Sequence, residues 1–399
     1  MTGDLQSHTQ PGGAPDGYPR VVVACGWPRP VGAVVHAGRL ARALRAHGLD
    51  VGAAAAQPAR DAPVEGGVMV VPLAPRDDAD PWDTAQAARA ALRAAAPLFG
   101  ERDVGHAEDP VAAAALLDLR DAGALRAVVT TVHHVSTNDR GELEDLQRHA
   151  VQGSDLVVCA SRHWAGIVAR EYGVAPRIVP HGVELARFAR QLDDRRSAGA
   201  AFGWGARPTV LTLGGIQPRK GSRVMLEAFA RARARVGEAA LLVVAGPAKV
   251  PEFRARWVED ADRLGLRVQR GGAPAPDVDV LELGGVPAAA MPRLMRACDV
   301  LASPSTREGF GLAAIEAAAT GIPTVLSDIP VFLEHFAHGE SCLTVGVGDT
   351  RSLSSALVRV FNDEDLRGTL VEGGRRLAAR FDWARCADAH LLLYREAMG

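Results

Sequence analysis

Two series of short Val-rich runs, each alternating with longer Ala-, Leu- and Arg-rich stretches of helical period, constrain this chain most. That alternation is the pattern of parallel strands joined by crossover helices. The first series offers RVVVACG at Arg20, GVMVVPL at Gly67, DVGHA at Asp103, RAVVTTV at Arg126 and DLVVCAS at Asp155. After the first of these, VVHAGRLARALRAHG sets Val34, Ala37, Leu40, Ala41 and Leu44 on one stripe, with Gly48 as a left-handed stop. The second series follows LDDRRSAGAAFGWGARP and offers TVLTLG at Thr209, ALLVVAG at Ala240, DVLEL at Asp279, DVLASPS at Asp299 and PTVLSD at Pro323. The reading is an α/β chain of two doubly wound, Rossmann-like domains facing a central cleft, with ligands at the carboxyl ends of strands. It divides the chain into a flexible leader (1–18), a first domain (19–200), a second domain (201–375) and a terminal helix (376–399) returning to the first.

Composition narrows the function. The 399 residues are 48% hydrophobic, enough for two cores. Lys and Arg number 45 against 47 Asp and Glu, so no field of one sign recommends a nucleic acid. Five scattered cysteines form no C-x-x-C pair and leave one over in any disulfide scheme, which fits a reducing, cytoplasmic setting. The leader lacks the apolar stretch of a signal peptide, and no later run matches a membrane span, so membrane contact is peripheral at most.

STREGFGLAAIEAAATGIP, Ser305 to Pro323, carries two carboxylates, Glu308 in a glycine-rich turn and Glu316 in the helix after it. Amides of Gly309, Phe310, Gly311 and Leu312 form a helix N-terminus, where unsatisfied donors and the helix dipole attract an anion such as phosphate. Carboxylates accept paired hydrogen bonds from vicinal hydroxyls, the groups offered by a sugar ring and by a ribose. A rival reading takes GFGLAA with Asp328 as a dinucleotide fingerprint. That fingerprint wants its first glycine directly after the strand, and here SPSTRE intervenes. A solvated Glu316 is the plainest alternative.

A second motif, LTLGGIQPRKGS, ends a strand in two glycines and presents Arg219 and Lys220 ahead of another helix. A cation pair there suits a diphosphate that is held and then released. A solvated basic turn is the other reading.

Together these motifs resemble the family-4 retaining glycosyltransferases of the GT-B fold, the glycosyl transferases of group 1. The likeness runs through VGAVVHAGRLARALRAHG, TVHHV, VVCASRHWAGIVAREYGV, RIVPHGVELARF, GGIQPRKG, GGVPAAAMPRLMRACDVLASPSTREGFGLAAIEAAATGIPTVLSD and FDWARCADAHLLLYRE. It implies that Glu308 contacts the donor sugar, Glu316 binds the ribose and Lys220 holds the phosphates. It also implies that His133 lies near the reacting end of the sugar, and that Gly32 and Ala33 match the amino-domain glycine pair beside the diphosphate. Where many members carry an arginine this chain has Gly215, which leaves Arg219 or Arg223 to supply the second cation. His134 replaces an acid of the family pattern. The implied activity is transfer of a sugar from a nucleotide diphosphate sugar, as co-substrate, to a hydroxyl or amine of a small-molecule or glycan acceptor. It proceeds with retention and without an essential metal or other cofactor.

On the acceptor side, His36, His106, Glu108, Asp109, His134, Arg162 and Trp164 fall in or near candidate loops of the first half. HAEDP also reads as a cap for a helix at Pro110, and Trp164 as a packing residue. Arg39, Arg42 and Arg45 form either a basic face for an anionic surface or a solvated one. His133 with His134 fits a metal site poorly, because adjacent residues on a strand point apart. An epimerase of the same fold and a non-catalytic nucleotide-sugar binder remain open, and so do the sugar, the nucleobase, the acceptor and the oligomeric state.

Overall fold

The computed structural model describes residues 18–27, 32–58, 67–73, 80–135, 141–189 and 194–399. The leader, apart from Tyr18, lies outside them. The chain forms two compact units, each built on one seven-stranded sheet.

The first unit comprises the chain up to Ala160, Trp164–Pro180 and Trp383–Gly399. Its strands are β1 (Val21–Cys25), β2 (Val51–Pro58), β3 (Met69–Leu73), β4 (Val104–Ala107), β5 (Ala127–Val132), β6 (Leu156–Cys159) and β7 (Arg177–Ile178). They lie in the order β3-β2-β1-β4-β5-β6-β7, and all pairings are parallel. Every residue of β1 is buried because both faces are covered, so its run is continuously apolar rather than alternating. Val21, Val23 and Cys25 pack with Leu40, Leu44 and Tyr394 on one face. On the other face, Val22 and Ala24 pack with Ala112 and Leu116. The helix Gly32–Ala46 buries the predicted stripe and lies against the terminal helix Trp383–Met398. Gly48 ends it in the left-handed region, at φ 84°.

The second unit comprises Ser161–His163 and His181–Asp382. Its strands are β8 (Thr209–Leu213), β9 (Leu241–Ala245), β10 (Val268–Arg270), β11 (Val280–Gly284), β12 (Val300–Ser303), β13 (Thr324–Ser327) and β14 (Leu343–Val345), in the order β10-β11-β9-β8-β12-β13-β14. The strand order reverses direction at β8, which places β9 on one side and β12 on the other, and both β8 and β12 lead into the two candidate motifs. The chain passes between units after Pro180, earlier than residue 200. Residues 195–204 belong to the second unit because the Arg195 guanidinium pairs with Asp299, and Trp204 Nε1 donates to the Ala297 carbonyl at 2.9 Å. The chain leaves this unit after Asp382, and only the terminal helix from Trp383 packs in the first.

Candidate functional site

In the second unit the two motifs meet through backbone as well as side chains. β8 runs out at Leu213, and Gly214 and Gly215 follow at φ 105° and 74°. A Cβ on Gly215 would stand 2.2 Å from the Pro247 carbonyl oxygen, so the place of the family arginine accepts no side chain in this backbone. The turn Pro218–Lys220 ends at Gly221, in the left-handed region at φ 64°. There a Cβ would lie 2.0 Å from the Pro304 carbonyl oxygen, and the Thr306 amide donates to the Arg219 carbonyl at 2.9 Å. The loop after β12 is therefore pressed directly onto the cationic turn.

That contact delivers the side chains. Lys220 Nζ lies 2.7 Å from Glu308 Oε1, Arg219 Nη1 lies 3.1 Å from Glu308 Oε2, and Ser305 Oγ donates to Oε1 at 2.6 Å. Burial pushes the Glu308 carboxyl upward, yet the charge and hydrogen bond of Lys220, with help from Ser305 and Arg219, outweigh it and hold the group below the usual carboxylate range. Arg223 turns away to Asp260, so Arg219 is the arginine that stands beside Lys220.

Glu308 is followed by Gly309, Phe310 and Gly311, and the helix Leu312–Thr320 begins after the left-handed Gly311 at φ 86°. A Cβ on Gly311 would strike the Phe332 ring at 2.6 Å. Phe310 is a packing residue: its ring is buried with centroids 5.0 Å from His181 and His335 and 5.6 Å from Phe381. What this segment offers a ligand is backbone donors at a helix N-terminus. β12 ends at Ser303, well before Gly309, so the first glycine is not in the turn directly after the strand. Asp328 is exposed and accepts from the Val347 amide at 3.0 Å. That geometry removes the dinucleotide-fingerprint reading.

Glu316 lines a cavity of about 300 Å³ at the carboxyl ends of β8, β9 and β11, together with Gly214, Gly246, Gly285 and Val286. Gly214 links cavity and cations: it lines the first, and a Cβ on it would lie 2.4 Å from Lys220 Cε. A carboxylate, a roomy glycine-lined cavity and a cation pair thus follow one another along one edge of the sheet.

The first unit holds a second cluster. Glu108, just past β4, accepts from His36 Nδ1 at 3.0 Å and from His133 Nε2 at 2.8 Å. Glu108 is 1% exposed, so it belongs to the buried framework rather than to an open acceptor surface. The three ligand-type atoms lie within 4.8 Å of one another. His106 is a strand residue, fully buried, bonded to Tyr394 Oη at 2.6 Å and Thr131 Oγ1 at 2.7 Å. Asp109 caps the helix Pro110–Asp121 through Val111 and Ala112, and its other oxygen takes the amides of Gly26 and Trp27. That work commits both oxygens to backbone. Trp164 is buried, and the exposed His134 meets it edge-on at 6.3 Å. Gly32 opens its helix exposed and Ala33 follows half-buried. Arg45 is tied to the Val51 carbonyl at 2.8 Å, which breaks the uniform basic face with Arg39 and Arg42.

Two parallel doubly wound sheets of this kind define the GT-B class. HepE of Anabaena, solved with UDP and glucose, is similar at TM-score 0.76 and 17% identity over 95% of this chain and 100% of that one. The sucrose-phosphate synthase of Thermosynechococcus elongatus is similar at TM-score 0.78 and 21% identity over 94% and 98%. Residues 30–187 match the model of Glycosyltransferase Family 4, and residues 200–377 match that of Glycosyl transferases group 1. The chain belongs to this glycosyltransferase family. Among curated relatives, the D-inositol 3-phosphate glycosyltransferase of Saccharomonospora viridis is 35% identical over 63% of this chain and 58% of its own length. That of Rhodococcus jostii is 33% identical over 63% and 54%. The matched region spans little more than half of those relatives.

Proposed function

We propose that the chain transfers a sugar, with retention at the anomeric carbon, from a nucleoside diphosphate sugar to a hydroxyl or amine of a small-molecule or glycan acceptor. The observation that carries this reading is the run Glu316, Gly214, Lys220, Glu308 along one sheet edge of the second unit. Glu316 takes the ribose hydroxyls, the cavity takes the nucleoside, and Lys220 and Arg219 take the diphosphate in exchange for Glu308. Released from those cations, Glu308 accepts from hydroxyls of the sugar. The acceptor oxygen or nitrogen bonds to the anomeric carbon while the bond to the diphosphate breaks on the same face, and the acceptor proton leaves with the phosphate. Charge growing on that phosphate meets Lys220, Arg219 and the donors near Gly311, a preorganised electrostatic stabilisation needing no metal ion.

HepE, solved with UDP and glucose, supports uridine as the first nucleoside to try. The relatives named for inositol 3-phosphate support a polyhydroxylated ring as acceptor. The experiment is a thermal-shift panel of nucleoside diphosphates and their sugars, followed by donor hydrolysis with and without EDTA on the hits. A raised melting temperature with one diphosphate, and slow EDTA-insensitive release of sugar, is the expected result. No shift with any nucleotide overturns the reading.

A further inference from the structure

The cluster around Glu108 lies in the first unit, apart from the run of residues in the second, and its carboxylate is 1% exposed. β4 and β5 are parallel neighbours in the register His106 to Val129 and Ala107 to Thr130, and just beyond their ends the side chains of Glu108 and His133 meet at 2.8 Å. His36 comes from the helix Gly32–Ala46. Its ring stands edge-on to His133 at 5.3 Å and 80°, and is backed by Trp383 at 5.3 Å. Three elements therefore converge on one carboxylate.

We propose that Glu108 is a positioning residue that fixes the tautomer and orientation of His133, with His36 as the second donor that keeps the carboxylate in place. An ionised carboxylate only accepts hydrogen bonds, so His36 donates from Nδ1 and His133 from Nε2. Burial pushes the Glu108 carboxyl up, but the charge of His36 and the hydrogen bonds of His133 and His36 pull it well below its ordinary range. The carboxylate therefore stays charged and the Nε2 hydrogen of His133 stays pinned to it. His106 does not compete for Glu108: its nearest nitrogen is 3.9 Å away, and both its nitrogens are engaged by Tyr394 and Thr131. This inference rests on the proposed function in one respect, that His133 faces the donor sugar.

The same three groups are a candidate cation cage, and the geometry argues against it. Tetrahedral zinc with arms of 2.0–2.1 Å separates its ligand atoms by about 3.3 Å. Here His133 Nε2 is 2.8 Å from Glu108 Oε2, and His36 Nδ1 is 3.0 Å from both carboxylate oxygens. Those are the distances of hydrogen bonds onto a carboxylate.

The test uses the full chain labelled with [15N]histidine, with His133→Ala to assign the ring. Its ring nitrogens are read by NMR in the wild type and in Glu108→Gln, and hydrolysis of UDP-glucose is followed in the same proteins. The expected wild-type spectrum is the Nε2-protonated tautomer. In Glu108→Gln the ring shifts to a mixed or Nδ1-protonated form, and kcat falls roughly tenfold or more with KM changed less than about twofold. If that variant does not fold, Glu108→Asp keeps the charge, withdraws the oxygens by one methylene and is expected to lose the tautomer in the same way. An unchanged His133 tautomer in the variant overturns the proposal. So does one equivalent of tightly held zinc in the purified wild type. Wild-type hydrolysis by His133→Ala sinks the role of His133 in the reaction and leaves the tautomer result intact, so the two failures are separable.

Discussion

Lys220 Nζ and Glu308 Oε1 lie 2.7 Å apart although 88 residues separate them in sequence, and their side chains are only 14% and 11% exposed. A pair this sheltered is ordered before any ligand arrives, which makes the ammonium a preorganised charge rather than a solvated one. Lys220→Ala should lower turnover about a hundredfold, the scale of one lost electrostatic donor. Arg219 and Ser305 still hold Glu308, so circular dichroism should report a folded chain. Turnover near wild type in a folded Lys220→Ala protein removes the leaving-group argument.

Glu316 occupies the other end of the run, and in the proposed function it acts on binding alone. Its helix stays capped by the left-handed Gly311 and Gly321 in its absence, so Glu316→Ala leaves the frame in place. A lost charge-assisted hydrogen bond is worth about 1.5–3 kcal/mol. Calorimetric titration with UDP should therefore show the dissociation constant rising about tenfold or more, with kcat at saturating donor little changed. An unchanged constant refutes the ribose role.

Much of this site was legible because it is local: the carboxylate spacing in STREGFGLAAIE and the cations of QPRKG each sit in one short stretch, and strand order brings the two stretches together. The Glu108 cluster was not legible as a unit. Its members at 36, 108 and 133 share no spacing, and only the adjacency of β4 and β5, with His36 brought in by the helix Gly32–Ala46, joins them. The central Val-rich strands announced themselves, whereas β2, reading VGAAAAQP, is built from residues of low strand propensity and is held by pairing with β1 and β3. The edge strands β7, β10 and β14 have two or three residues each, too few to carry a period. The unit boundary was hidden for a similar reason, since Arg195 and Trp204 find their partners about a hundred residues onward in sequence, at Asp299 and Ala297.

Gly215 gives a prediction that runs against family resemblance. Restoring an arginine there places a Cβ 2.2 Å from the Pro247 carbonyl oxygen at a φ of 74°, and backbone cannot yield as a flexible side chain would. Gly215→Arg should destabilise the second unit by several kcal/mol through steric overlap and left-handed strain. Differential scanning calorimetry checks it: a transition shifted down by less than a few degrees, with UDP binding retained, contradicts the account.

Acid should weaken the first unit before it touches the carboxylates. Burial lowers His106 from 6.5 to about 3 and His390 from 6.5 to about 4, so both rings are neutral in the folded chain near neutrality. Below pH 6.5 the unfolded chain takes up protons at these two rings and the folded chain does not, which favours unfolding as pH falls. Glu108 and Glu308 act lower: their carboxyls are depressed below 4.5, so what they contribute is fully present above that value and lost only as pH falls through their folded values. Between pH 6.5 and 4.5 the melting temperature should therefore fall with a slope set by the histidines. Each unit of separation is worth about 1.4 kcal/mol. His106→Gln lowers the whole curve by disturbing Tyr394 and Thr131, but its slope in this window should be shallower than that of the wild type. Equal slopes would mean that His106 carries its proton inside the fold, and the neutral buried ring would have to be abandoned.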